Sequence, residues 1–166
     1  MPPILGRGAR VLVLGSMPGA ASLAAQRYYA HPQNAFWSIM AALCGAGREL
    51  SYAERCARLK AAGIAVWDVL ARCSRDGSLD SDIERQSIAT NDFAALFARA
   101  PQLQLVGCNG TTAHECYRRR VLPTLPPSAA AIPVVLLPST SPANAGTSRA
   151  AKTARWLAAL QPRLAT

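Results

Sequence analysis

Short apolar runs rich in β-branched residues alternate with stretches of helical spacing, and no other feature of this chain limits its possible folds so much. The first run is Arg10 to Leu14 and the last Pro133 to Leu137, with Ile64 to Leu70 and Leu103 to Val106 between them. Helical spacing covers Ala35 to Cys44, Tyr52 to Ala62, Asp92 to Ala100, Thr111 to Val121 and Ser148 to Leu160. Ala113, Tyr117 and Val121 share one helical face, and Ala150, Ala154, Leu157 and Leu160 another. Strands separated by helices pair in parallel, because a parallel neighbour is reached through a crossover, so an α/β fold with helices on both faces of the sheet is expected. Functional loops then leave the carboxyl ends of strands, which singles out the junctions after Leu14, Val106 and Leu137. No repeat or linker divides the 166 residues, which read as one domain.

Composition bears on the partner more than on the fold. Eighteen Lys and Arg face nine Asp and Glu, a formal charge of +9 with a pI near 10.1. Such a field attracts polyanions, nucleic acid first, although a merely solubilising surface gives the same balance. Five cysteines, at 44, 56, 73, 108 and 116, form no C-x-x-C pair and suit reduced core positions, so no zinc or iron–sulfur site is expected. The longest apolar run, Ala129 to Leu137, is broken by Pro133, and no charged N-terminal region leads into an apolar stretch. The expected setting is therefore the cytoplasm or nucleoid, not a membrane.

The junction after Leu14 reads Gly15-Ser16-Met17-Pro18-Gly19, a stiff turn that is neither a P-loop nor a dinucleotide fingerprint. No nucleotide cofactor follows from it. Downstream, Tyr28-Tyr29-Ala30-His31-Pro32-Gln33-Asn34-Ala35-Phe36-Trp37 gathers four aromatic rings, a histidine and an amide in a chain only 6% aromatic. Rings stack on a base released from a duplex, and amides bond its edge. The alternative is a helix start with Asn34 as N-cap, and for Trp37 a core position is the better reading.

The second junction, Gly107-Cys108-Asn109-Gly110, puts Asn109 either at a helix N-cap, the simpler reading, or at a base edge. The third, Pro138-Ser139-Thr140-Ser141-Pro142-Ala143-Asn144-Ala145-Gly146, offers hydroxyls and an amide between prolines and no charge, which suits either phosphate oxygens or an ordinary surface turn.

Taken together, the Gly15 to Gly19 turn, the Tyr-Tyr-Ala-His-Pro-x-Asn-x-Phe-Trp run, Val66-Trp67-Asp68-Val69-Leu70, Asn109-Gly110 and the Pro138 to Asn144 loop resemble the hypoxanthine-DNA glycosylase (DNA-deoxyinosine glycosylase) group of the uracil-DNA glycosylase superfamily. The matches run through most of the chain in the family's order. The resemblance implies a three-layer αβα fold around a short parallel sheet. It also implies a monofunctional, cofactor-free enzyme of base excision repair. Such an enzyme flips a deaminated base, hypoxanthine and in some members uracil, out of DNA and hydrolyses its N-glycosidic bond. Several branches of the superfamily carry a catalytic Asp or Asn where this chain has Met17, and a His where it has Leu137-Pro138-Ser139. By resemblance to the hypoxanthine group, the catalytic residue is Asn34.

Site roles follow from that resemblance together with the chemistry of each side chain. Asn34 holds the attacking water, Phe36 stacks on the flipped base beside Met17, and Asn109 bonds the base as charge develops on it. Ser16, Ser139, Ser141 and Asn144 contact DNA. An amide is no general base, which leaves room for His31 and Asp68 as accessory groups; for each a purely structural role is the competing reading, Asp68 through a loop cap or a pairing such as with Arg72. His114, beside Arg118, Arg119 and Arg120, reads as solvent-facing, and Lys152 and Arg155 as solvated or phosphate-facing. The partner implied is DNA with deaminated bases, met by a monomer. The alternative is a glycosylase-like module that binds nucleic acid without catalysis; a third option, a small-molecule α/β hydrolase, has little support, since the sequence shows no Gly-x-Ser-x-Gly elbow and no nucleophile, base and acid set.

Overall fold

A computed structural model describes residues 1–72 and 89–164. Four parallel strands, β1 (Val11–Gly15), β2 (Ile64–Asp68), β5 (Leu105–Asn109) and β6 (Val134–Leu137), form a sheet in the order β2-β1-β5-β6. β3 (Leu70–Arg72) and β4 (Ala89–Thr90) make a separate antiparallel pair. The sheet is flanked by α1 (Ala20–Ala25), α2 (Phe36–Cys44), α3 (Tyr52–Ala61), α4 (Phe93–Arg99), α5 (Thr111–Cys116), the single turn α6 (Pro127–Ala130) and α7 (Arg149–Leu160). α5 runs on as a π-helical turn, Tyr117–Val121.

β1, β2 and β5 are buried along their whole length, which is why they read as unbroken apolar runs, not alternating ones. β6 is an edge strand, and Leu136 stays exposed on it. Chain order sets the site. From β1 the chain steps to β2 on one side and returns to β5 on the other, so the crevice between the ends of β1 and β5 is where the winding reverses. Register brings Gly15 opposite Asp68 there, and Asn109 opposite Leu137.

Several boundaries depart from the expected ones for local reasons. The run Ile64 to Leu70 is cut at Val69, whose N–H donates to the Gly15 carbonyl at 2.8 Å while Leu70 N–H donates to Ser16 at 3.0 Å. β5 continues three residues past Val106, because Gly107 is not a turn glycine. A Cβ there would stand 2.9 Å from Leu137 Cδ1, so the missing side chain lets β6 pack closely. α1 was not expected. In α7 the buried stripe is Lys152, Trp156 and Leu160, whereas Ala150 and Ala154 are exposed, which corrects the face read from alanine spacing. The face Ala113, Tyr117 and Val121 is buried as expected.

Three helix starts carry side-chain caps. Ser51 forms a capping box with Glu54, and Asp92 and Ser148 each accept an N–H from the first turn. Trp37 and Trp156 lie fully inside the core. Cys108 is buried and Cys44, Cys56 and Cys116 are half-buried, while Cys73 lies outside the described residues. Among the described residues no helix is long and apolar enough to cross a membrane.

Candidate active site

At the switch point a cavity of about 350 Å³ opens at the carboxyl ends of the strands. That is within the range that accepts a small-molecule-sized group. Every loop singled out above contributes to its wall: Ser16 and Met17 after β1, His31 and Asn34 before α2, Asn109 at the end of β5, and Ser139, Ser141 and Asn144 after β6. Asp68 completes the floor at the end of β2.

Asn34 is half-buried on the wall, and its Oδ1 accepts the Phe36 N–H at 3.0 Å. This side-chain turn precedes α2, whose N-cap is Ala35 with no side-chain cap bond, so Asn34 is not the N-cap expected from the sequence. An amide oxygen has two lone pairs, and one remains for a water. The next peptide is tied across the cavity, Ala35 N–H donating to the Thr140 carbonyl at 3.0 Å.

Asn109 is 8% exposed and is not the helix cap; that position belongs to Gly110. Its Oδ1 accepts the Thr140 N–H and its Nδ2 donates to Thr140 Oγ1, both at 2.9 Å. This two-point clasp locks the third loop to the end of β5. One N–H and one lone pair of the amide are left for a ligand.

Phe36 is fully buried, and the cavity wall in front of it is Tyr29, whose ring stacks on it at 4.0 Å between centroids and 22° between planes. Trp37 and Trp156 meet the Phe36 ring edge-on. Tyr29 takes positive φ, 52°, a conformation that costs a bulky residue free energy. Its hydroxyl and the Asp68 carboxylate both crowd the space over Gly15, where a Cβ would lie 3.2 Å from the first and 2.5 Å from Asp68 Oδ1. Gly15 is thus a close-approach glycine, and its lack of a side chain makes the floor of the cavity.

Asp68 is 5% exposed and its negative charge, after burial itself, helps hold the Tyr28 phenol well above the usual tyrosine range. Its main-chain carbonyl accepts from Asn91 Nδ2 at 2.8 Å. His31 lines the mouth and is exposed. Its Nδ1 accepts the Gln33 N–H at 3.2 Å, which puts the proton of the neutral ring on Nε2.

In the third loop, Ser139 Oγ accepts the Ser141 N–H and Ser141 Oγ accepts the Ala143 N–H, each at 3.2 Å. Each hydroxyl keeps a proton to donate. Asn144 donates to the Ser139 carbonyl at 3.1 Å. Beneath the loop Lys152, 5% exposed, donates to the Asn144 carbonyl at 2.7 Å, and its proton affinity is lowered by burial and then by Arg149. Lys152 is therefore neither solvated nor phosphate-facing. Arg155 is exposed, and His114 is half-buried away from the cavity wall.

The uracil DNA glycosylase superfamily model matches residues 2–164. The chain belongs to that superfamily. Two curated relatives, each a hypoxanthine DNA glycosylase, come from Methanosarcina barkeri, 36% identical over 69% of this chain and 72% of the relative, and Methanosarcina acetivorans, 35% identical over 74% and 82%. A candidate uracil DNA glycosylase from Methanosarcina acetivorans, solved by solution NMR, superposes with a TM-score of 0.77 at 33% identity, covering 95% of this chain and 92% of that one. The three-layer fold is that of the superfamily, and this chain is a DNA glycosylase.

Two residues of the cavity wall, Tyr29 and Thr140, and two behind it, Lys152 and Arg48, were not read from the sequence in the parts they play. Tyr29 stood in the aromatic run but was not distinguished from its neighbours. Thr140 was hidden among similar hydroxyls. Lys152 and Arg48 act on main-chain carbonyls, for which one sequence holds no signal.

Proposed function

We propose that this glycosylase excises hypoxanthine from DNA by water attack, with Asn34 as the residue that places the water. The observation that carries the reading is Asn34 itself: its carbonyl is fixed by the Phe36 N–H, keeps one lone pair, and lines the same cavity as Asn109. The reaction needs little nucleophilic power, since a glycosidic bond to a good leaving base breaks through an oxocarbenium-like state that water captures. Position and electrostatics supply the rate.

The flipped base stacks on the aromatic wall. Because Phe36 has no open face, contact with it runs through Tyr29, with Phe36 behind fixing the plane; a base lying directly on Phe36 requires Tyr29 to swing away. Met17 borders the base from the first loop. The spare N–H of Asn109 bonds the base as negative charge builds on it, in the field of a chain of net charge +9. Asp68, the only carboxylate on the wall among the described residues, orients the floor or assists the water, and His31 offers Nε2–H to the leaving base or a phosphate at the mouth. Ser16, the hydroxyls of Ser139 and Ser141, and Asn144 take the DNA backbone. The names of the two relatives favour hypoxanthine over uracil. In this reading the enzyme works as a monomer on chromosomal DNA.

Single-turnover cleavage of oligonucleotides carrying hypoxanthine or uracil, single- and double-stranded, tests this. Wild type is expected to release hypoxanthine, and Asn34→Ala to lose about 10²–10³-fold in rate while still binding DNA. A rate that survives the substitution moves the chemistry to Asp68 or His31. No release of either base by wild type leaves a DNA-binding module.

A further inference from the structure

We propose that Arg48 is a positioning residue, a cationic clasp that gathers Tyr29, His31 and Asn34 into their working arrangement; this rests on the reading of Asn34 above. Arg48 lies in the turn between α2 and α3 and is not part of the cavity wall. Its Nη2 stands 2.8 Å from the His31 carbonyl oxygen, 3.2 Å from that of Asn34 and 3.4 Å from that of Tyr29. These three carbonyls belong to three of the four residues, Tyr28 being the other, that line the cavity from the loop before α2.

Three carbonyl oxygens pointing at one place repel one another. A cation at the focus reverses the sign of that interaction, and hydrogen bonds from a charged donor are about twice as strong as neutral ones. One terminal nitrogen has two N–H groups, so at least one is shared among the three acceptors. The loop has reason to need the clasp. It contains Tyr29 at positive φ, and most of its other main-chain ties, among them Tyr28 N–H to the Tyr52 hydroxyl, Ala30 N–H to Ser22 Oγ and Ala35 N–H to the Thr140 carbonyl, engage N–H groups, whereas the clasp engages carbonyls. Without the guanidinium the carbonyls diverge, the Tyr29 turn relaxes, and Asn34 loses its aim across the cavity. The site also holds this cation against opposition, since burial and then the nearby charges of Arg55 and Arg149 lower its proton affinity. Lys does not reproduce this placement, because its side chain is shorter and its compact ammonium is more strongly hydrated than a guanidinium.

The competing role is a plain phosphate contact, and the test separates the two. Wild type, Arg48→Ala and Arg48→Lys are compared for single-turnover release of hypoxanthine, for affinity to the same oligonucleotide, and for amide hydrogen exchange across residues 28–36. A clasp predicts that Arg48→Ala loses about tenfold to a hundredfold in rate with affinity nearly unchanged. It also predicts faster exchange in that segment, partial recovery of rate on adding guanidinium but not sodium at equal ionic strength, and incomplete recovery with Arg48→Lys. Affinity that falls while exchange and bound-state rate hold, or no change in any readout, overturns the proposal. If wild type releases no base, the catalytic reading fails and exchange alone decides: unaltered protection in Arg48→Ala overturns the clasp, and raised exchange confined to the loop upholds it.

Discussion

Gly15 shows how much of this site depends on a single missing side chain. It ends β1 opposite Asp68, and the Asp68 carboxylate and Tyr29 hydroxyl occupy the volume that a Cβ would need. At 2.5 Å from Asp68 Oδ1 that Cβ is well inside contact distance, so the carboxylate must move, and it is enclosed at the cavity floor. Gly15→Ala is expected to destabilise the fold by about 1–3 kcal/mol, the usual cost of overpacking a closed site. It should also slow base release beyond what lost stability explains, because Tyr29 and Asp68 shift together. Thermal unfolding together with single-turnover rates measured well below the transition checks this. An alanine variant with wild-type stability and rate would mean that the floor is loosely built and Asp68 is free to rearrange.

At the level of elements, legibility followed the kind of force involved. Helices α2, α3, α4 and α7 and strands β1 and β6 stood within a residue or two of their expected limits, because burial of one helix face writes a period into the sequence and a sheet strand reads as a short apolar run. The loops that form the cavity were found from their place at strand ends, as the parallel sheet requires. What stayed hidden were the interactions that side chains make with distant main chain. Asn109 was read more simply as a helix cap, yet its partner is Thr140, thirty-one positions on. The α7 face was misread because its buried stripe begins with a lysine, a residue that hides only where its ammonium finds acceptors. Those acceptors, the Asn144 and Ser141 carbonyls at 2.7 and 3.5 Å, make α7 the support of the third loop. Lys152→Met keeps the apolar stem and removes the donor. It is expected to cost about 1–3 kcal/mol in urea unfolding, the price of a lost charged hydrogen bond with its acceptors left in place. A methionine variant as stable as wild type would show that water or a loop shift replaces the ammonium without loss.

Across the whole molecule the parallel sheet brings every functional loop to one end, and the core behind it encloses groups that resist ionisation. Burial pushes the Cys108 thiol from its ordinary 9.0 up to about 12, and pushes the Tyr52 phenol from 10.0 up to about 12. Tyr28 and Tyr117 are raised further, by burial first and then by the charges of Asp68 and Cys108 respectively. In each case the folded state keeps a proton that the unfolded chain gives up earlier, so the native form binds more protons once the pH passes the ordinary value. Stability from these groups is therefore complete below about pH 9 and lost as the pH climbs toward 12, where Cys108 and Tyr52 themselves ionise. Lys152 opposes this, since its lowered folded value makes deprotonation favour the native state, whereas Cys44 and Cys56, raised by burial, act in the same sense as the four. The urea midpoint is expected to hold level from neutrality to about pH 9 and then fall steadily, with an unchanged slope because the same surface is exposed. Tyr52→Phe should flatten part of that decline, since it removes one ionisable proton and leaves the ring against Trp37 and the two arginines Arg27 and Arg55. A midpoint that stays level to about pH 11 in wild type would mean that these phenols and the thiol are reached by water in the native state. The core at the back of the cavity would then be more open than its packing implies.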